Sequence, residues 1–124
     1  MKKLFVSVPM KGRETKDIKR SIEKMKKIAE VYVGEELELI DSYIEDNPPT
    51  DTHEAIWYLG EAIKKLAEAD VFICIADTFN WSGCHVEDEV ARRYKIKRYY
   101  VPSEVVIENY RELIKKAEKI FPLP

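Results

Sequence analysis

Asp77 and Glu87 are the carboxylates whose setting in this chain best suits chemistry. The stretch Asp70-Val71-Phe72-Ile73-Cys74-Ile75-Ala76-Asp77 is a short apolar run with an acid at each end, the pattern of a buried parallel strand. It leads through residues 78–82 into Gly83-Cys84-His85-Val86-Glu87-Asp88-Glu89-Val90-Ala91, where a helix is expected from about Cys84 to Tyr94. Gly83 is expected to let the backbone turn tightly into that helix, with Glu87 in or near its first turn. Ligands of open parallel sheets sit at the carboxyl ends of strands, which is where this junction delivers both acids. A carboxylate near a helix N-terminus is favoured in its ionised form, as a nucleophile or general base requires. A second set of candidates follows the first strand. Met10-Lys11-Gly12-Arg13 supplies backbone amides and two cations, a combination suited to cradling a phosphate.

The elements that must hold these residues are readable from periodicity. Leu4 to Val8 is a central strand by its apolar content. Ile18, Ile22, Met25 and Ala29 make one face of a helix from Glu14 to about Val31, which Gly34 ends. Leu37 to Ile44 reads as a second strand. Asp46-Asn47-Pro48-Pro49-Thr50-Asp51 is a loop, because neither proline can continue a helix or a central strand. Thr52 or Asp51 is expected to cap a helix with the apolar stripe Ile56, Leu59, Ile63 and Leu66. Val71 to Ala76 is the third strand and Arg98 to Val101 the fourth. A last helix is expected from Val105 to Glu118, with Ile107, Tyr110 and Ile114 inward, and a fifth strand only if the Phe121 end folds back. Alternating strands and helices imply an α/β fold with a four- or five-stranded parallel sheet. A flavodoxin-like three-layer sandwich with strand order 2-1-3-4 would set Pro9 to Arg13 opposite Asp77 to Glu87 across one crevice.

Composition narrows the function classes. At 124 residues, a single domain spanning 1–124 is expected. The net charge of -2 supplies no global positive field, so no nucleic-acid partner is expected. Apolar runs are too short to span a bilayer, and Met1-Lys2-Lys3 leads straight into a strand, so a cytoplasmic protein without a membrane partner is expected. Cys74 and Cys84 read as buried thiols rather than a disulfide or metal pair. His85 lies two residues before Glu87, so a helix turns it to another face, and His53 sits at a helix start. Neither histidine has partners at ligand spacing. No metal and no cofactor is expected.

Gly83, Glu87 and Ala91 meet the Gly-x-x-x-Glu-x-x-x-Ala signature of the nucleoside 2-deoxyribosyltransferase-like superfamily, which this chain resembles. Phe5-Val6-Ser7-Val8-Pro9 is similar to that family's opening Tyr-x-x-x-Pro strand, and the resemblance covers about the first 100 residues. It implies a glutamate, here Glu87, that attacks the anomeric carbon of a nucleoside, expels the base and leaves a glycosyl-enzyme ester. Such a transition state resembles an oxocarbenium ion, which an anion beneath the sugar stabilises. Asp77 would manage the proton of the leaving base.

The loop Met10 to Arg13 looks similar to that of the nucleoside 5'-monophosphate N-glycosidases of the same superfamily. The sugar or its 5' substituent would then meet Phe5, Ser7, Pro9, Met10, Lys11, Gly12, Arg13, Trp81, Ser82, Gly83 and Ser103. Ser103, with Pro102 and Glu104, is a candidate contact to a neighbouring pocket, because family members are commonly homodimers or higher oligomers. The chain departs from the family at Phe5, where Tyr is usual. It departs also at Ala62 beside Glu61, where an Asp is usual, and at Trp81, where a base-recognising acid stands. Trp81 is instead placed to stack on a base. These departures weigh more against base exchange than against hydrolysis, or against a non-catalytic nucleotide-binding module using the same crevice. A protein-interaction domain of the same fold is the third reading.

Overall fold

The computed structural model describes residues 1–10, 12–76, 81–108, 110–112 and 115. Strand β1 (Lys3–Ser7) is followed by α1 (Thr15–Val33), β2 (Glu38–Leu39), α2 (Glu54–Leu66), β3 (Val71–Ile75), α3 (Ser82–Arg93), β4 (Lys97–Val101) and the short α4 (Ser103–Val106). The strands form one four-stranded, all-parallel sheet in the order β2-β1-β3-β4. This is the expected α/β, flavodoxin-like three-layer arrangement. None of the described helices is long and apolar enough to cross a membrane.

Register assigns the two sheet faces. Phe5 pairs with Phe72 and Ser7 with Cys74, while Phe72 and Cys74 pair with Arg98 and Tyr100. Side chains alternate along a strand, so these residues share one face. Phe5 and Phe72 stack there with ring centroids 6.0 Å apart. Helix α3 covers this face, since Glu87 reaches Ser7 and the Tyr100 hydroxyl donates to Asp88 Oδ1 at 2.5 Å. Helix α2 packs beside α3. Tyr99 points the other way and stacks on Tyr32 of α1 at 5.4 Å. Strand β3 lies between two strands and under two helical layers, and is buried along its whole length. A continuous apolar run with no alternation is the sequence form of such a strand.

Two connections are built by side chains. Gly34 closes α1 in the left-handed conformation at φ 83°, donating to Glu30 O, as a residue without Cβ does without strain. The Glu30 carboxylate then accepts from the Leu37 N–H at 2.9 Å and steers the chain into β2. At the start of the sheet, Lys3 N–H donates to Asp70 Oδ2 at 2.8 Å and Asp70 N–H to Lys3 O at 2.9 Å. Asp70, the acid at the head of the third strand, therefore registers β3 against β1.

Element ends differ from the sequence expectation in physically specific ways. The second strand, expected over Leu37 to Ile44, is only two residues long. After Ile40 the Asp41 carboxylate accepts from the Tyr43 N–H, and Lys65 Nζ binds the carbonyls of Asp41 and Tyr43, so the backbone turns away from β1. Neither Asp51 nor Thr52 caps α2. Thr52 Oγ1 donates to Pro49 O inside the preceding turn, Asp51 is left-handed at φ 66°, and the N-cap is His53. Of the stripe expected on α2 only Leu66 is buried, and Ile56 is 65% exposed. The last helix, expected from Val105, begins at Ser103 and breaks at Ile107, whose backbone is extended. Residues 110–112 and 115 are helical again, Ile107 is buried and Tyr110 half-buried, while Ile114 and the Phe121 end lie outside the described residues.

Candidate functional site

The parallel pairing of β1 with β3 sets Ser7 directly beside Cys74 at the carboxyl end of the sheet. Above them, Cys84, Glu87 and Ala91 form the buried face of α3, at the three- and four-residue spacing of one helix stripe. The Ser7 hydroxyl donates to Glu87 Oε1 at 2.7 Å, a buried bond between residues 80 positions apart. Cys84 belongs to the same buried core, near enough to Cys74 and Ser7 for both to perturb its thiol. A serine, two thiols and one carboxyl thus lie together in the buried layer between sheet and helix.

Electrostatics follow from that enclosure. Burial raises the Glu87 pKa from 4.5 to about 7, and the Ser7 hydrogen bond opposes the rise by holding the charged form. This corrects the expectation of an acid ionised by a helix N-terminus. Helix α3 starts at Ser82, with Trp81 as its N-cap, so Glu87 falls in the second turn, and the first turn has no acid. The dipole effect fades beyond the first turn, and burial wins. The Cys84 thiol is also pushed up, first by its hydrogen bond with Cys74, then by burial and by the neighbouring charges of Cys74 and Glu87. Gly83 is corrected as well. It sits inside the first helical turn with open space where a Cβ would be, and it is not the residue that turns the chain.

The first loop follows β1 at the same end of the sheet, with its described cation engaged. Arg13 N–H donates to Met10 O at 3.1 Å, closing a turn in which Gly12 takes φ 77°. The Arg13 guanidinium donates to Pro9 O at 2.8 Å, Asp17 O at 3.2 Å and Ser21 Oγ at 2.6 Å. Ser21 in turn donates to Val106 O at 2.6 Å. Burial lowers the Arg13 pKa, against the raising influence of Asp17, Cys84 and Glu108. Arg13 is therefore a clamp joining loop, α1 and α4, rather than the exposed phosphate ligand expected. Pro9 is buried and Met10 is 36% exposed. Lys11 and Asp77, together with Asn80, lie outside the described residues.

The remaining expected residues fall around the same edge of the sheet. Phe5 is buried in the ring stack with Phe72, so its side chain is core rather than pocket lining. Trp81 is buried at the start of α3, not an open stacking platform, and Ser82 and Gly83 are exposed. Ser103 follows β4 and is 4% exposed, while its neighbours Pro102 and Glu104 are exposed. Trp81 Nε1 and Ser103 Oγ are buried polar atoms with no hydrogen-bond partner among the described residues. His85 is exposed, turned from the Glu87 face. No group of three or more metal-ligating side chains occurs among the described residues. A cleft of about 230 Å³ lies elsewhere, at the β2 edge between Lys3, Ile40 and Lys65, at the opposite end of β1 from Ser7.

Sequence reasoning missed two features of this buried layer: Ser7 as the partner of Glu87, and Cys84 near Cys74. A signal exists for the strand register beneath them. Leu4-Phe5-Val6-Ser7-Val8 and Val71-Phe72-Ile73-Cys74-Ile75 share one pattern, aromatic then small polar at alternate positions, and aligning them gives the observed register. No protein-family model, no curated protein and no solved structure matches this chain.

Proposed function

We propose that this chain cleaves or transfers at the N-glycosidic bond of a (deoxy)nucleoside or nucleoside 5'-monophosphate, with Glu87 as the nucleophile. The observation that carries the reading is the buried Ser7–Glu87 hydrogen bond at the carboxyl end of the sheet. A carboxyl there with a pKa of about 7 is partly ionised at neutral pH, and more nucleophilic than one held at 4.5. One Glu87 oxygen attacks the anomeric carbon, an ester forms, and the base leaves with the bonding electron pair and takes up a proton. Ser7 orients the attacking carboxyl, and Asp77 is proposed to manage the proton of the base. Water or a second base then resolves the ester.

The substrate reading rests on the resemblance to the nucleoside 2-deoxyribosyltransferase-like superfamily. The first-turn amides of α3, at Ser82, Gly83 and Cys84, have no side-chain cap and suit an anionic 5' substituent. Arg13 shapes the loop instead of binding phosphate. The protein is proposed to act in the cytoplasm as a homodimer or higher oligomer, which sedimentation at micromolar concentration checks.

The test is intact-protein mass spectrometry of wild type and Glu87→Gln after incubation with mixed nucleosides and 5'-monophosphates, with free base assayed in parallel. A sugar-sized adduct or base release that disappears in the variant is expected. Normal base release by Glu87→Gln would sink the mechanism. The enclosure of Glu87 favours one second reading, a nucleotide-binding module without catalysis. A ligand-induced rise in melting temperature with neither adduct nor released base would select it.

A further inference from the structure

Strand β4 is the last strand of the described sheet, and no described strand pairs with its outer edge. The phase of its hydrogen bonds decides which groups that edge offers. Ala76 N–H donates to Val101 O at 2.8 Å. In a parallel ladder alternate residues turn both backbone groups to the same neighbour, so Lys97, Tyr99 and Val101 bond to β3 in the observed register. The N–H and C=O of Arg98 and Tyr100 therefore face outward, on a strand without proline or bulge. The side chains of these two residues lie on the α3 face. Arg98 Nη1 donates to the Tyr100 hydroxyl at 3.0 Å, and that hydroxyl donates to Asp88. On the opposite face Tyr99 stacks on Tyr32, which is 52% exposed. We propose that two copies of this chain pair antiparallel along their β4 edges, about a two-fold axis at Tyr99, joining two four-stranded sheets into one.

The outward groups select this register. Setting Arg98 opposite the partner's Tyr100 exchanges both N–H···O=C bonds of the pair, and symmetry repeats the exchange, so every outward group on both strands finds a partner. A shift one way sets Arg98 against the partner's Arg98, like charge against like. A shift the other way sets Arg98 against the partner's Pro102, which has no N–H to give. In the selected register each Arg98 lies beside the partner's Tyr100, whose hydroxyl is held by the partner's Asp88, so charges are complementary on the α3 face. On the α1 face Tyr99 meets the partner's Tyr99 as a non-hydrogen-bonded pair, where side chains approach most closely. Pairing β4 with β2 of another copy would match five residues to two and grow an open array instead of closing. The β4 dimer rests on the homo-oligomer reading above, to which it gives a surface, and not on the glycosidic reaction.

Sedimentation velocity of the full chain at micromolar concentration is expected to show a dimer. Arg98→Glu sets an acid beside the partner's Asp88, and Arg98→Pro removes an outward N–H but no bond to β3. Each should sediment as a monomer with unchanged circular dichroism. Cross-linking reads the register independently of whether those variants fold. Mild copper-catalysed oxidation of Tyr99→Cys should link two chains, because Cα atoms in a non-hydrogen-bonded pair lie about 4.5 Å apart. Lys97→Cys lies opposite the partner's Val101 and on the order of 13 Å along the strand from its own counterpart, so it should stay unlinked. Wild type, whose Cys74 and Cys84 are buried, is the blank. A monomeric wild type would overturn the proposal together with the homo-oligomer reading. A dimer that survives both Arg98 variants, no link at position 99, or equal linking at 97 and 99 would overturn the β4 interface alone. Base release assayed on the same samples reports on the glycosidic reaction separately.

Discussion

Glu87 is 9% exposed, so water solvates its charge poorly, and among the described residues the Ser7 hydroxyl is the side-chain donor to it. The folded chain therefore prefers the neutral acid. With a carboxyl pKa of 4.5 in the unfolded chain and about 7 in the folded one, the folded state binds the proton more tightly. The associated stability is fully present below the lower value and is lost as pH rises through the upper one, by about 3 kcal/mol in all. Glu87→Gln keeps the shape without the titration. It should match wild type near pH 4 and be the more stable protein at about pH 8, which denaturant melts across that range would check. A wild-type stability that stays level while Glu87→Gln shows no advantage would refute the enclosure of the carboxyl. Ser7→Ala removes the group that favours the charged form. The Glu87 titration, followed by carbon NMR of its carboxyl, should move above its wild-type midpoint, with about 1 kcal/mol of stability lost at neutral pH. An unchanged midpoint would show that the bond does not form in solution. Glu87 was legible as a candidate because an acid recurs at helical spacing beyond a strand end. Ser7 was legible only as pocket lining, because a bond across 80 positions depends on strand register rather than local pattern.

At the scale of elements, the core strands and the α1 face followed periodicity, whereas the α2 face and several element ends did not. Of the expected α1 stripe, Ile18, Met25 and Ala29 are buried and Ile22 is half-buried. The end of β2 and the cap of α2 were decided instead by Lys65, Asp41 and Thr52 acting on backbone at a distance or within a turn, which no local propensity records. Arg13 belongs to the same class. Its single charge suggested an anion site, but Ser21 on the otherwise apolar face of α1 was the hidden cue that a polar partner is buried there. Arg13→Met should cost about 1–3 kcal/mol in urea melts with no ligand present, because Ser21 and two carbonyls lose their donor. An arginine serving only to bind phosphate would leave those melts unchanged. Gly34→Ala should cost about 1 kcal/mol, since alanine must adopt φ 83° at the α1 terminus. Equal stability of that variant would mean the helix ends elsewhere.

For the whole molecule, alternation of strands and helices implied the parallel sheet, and its order β2-β1-β3-β4 is the flavodoxin-like one expected, which alternation alone does not select. The ion pairs add little to it. Each of those among the described residues, from Lys2–Glu35 to Glu89 with Arg92 and Arg93, joins side chains at least partly in solvent. Raising sodium chloride to about 1 M, where screening acts within ~3 Å, should leave the melting temperature almost unchanged. A fall of many degrees would reveal electrostatic support that these pairs do not supply. The reciprocal bonds between Lys3 and Asp70 carry a different consequence, for synthesis on the ribosome. The partner that registers β1 emerges 67 positions after it. At about 5–20 residues per second, the first strand spends several seconds as an unpaired apolar edge beside only a two-residue β2. A nascent chain stalled before β3 should therefore remain sensitive to protease and bind chaperones, and become resistant only once that strand has cleared the exit tunnel.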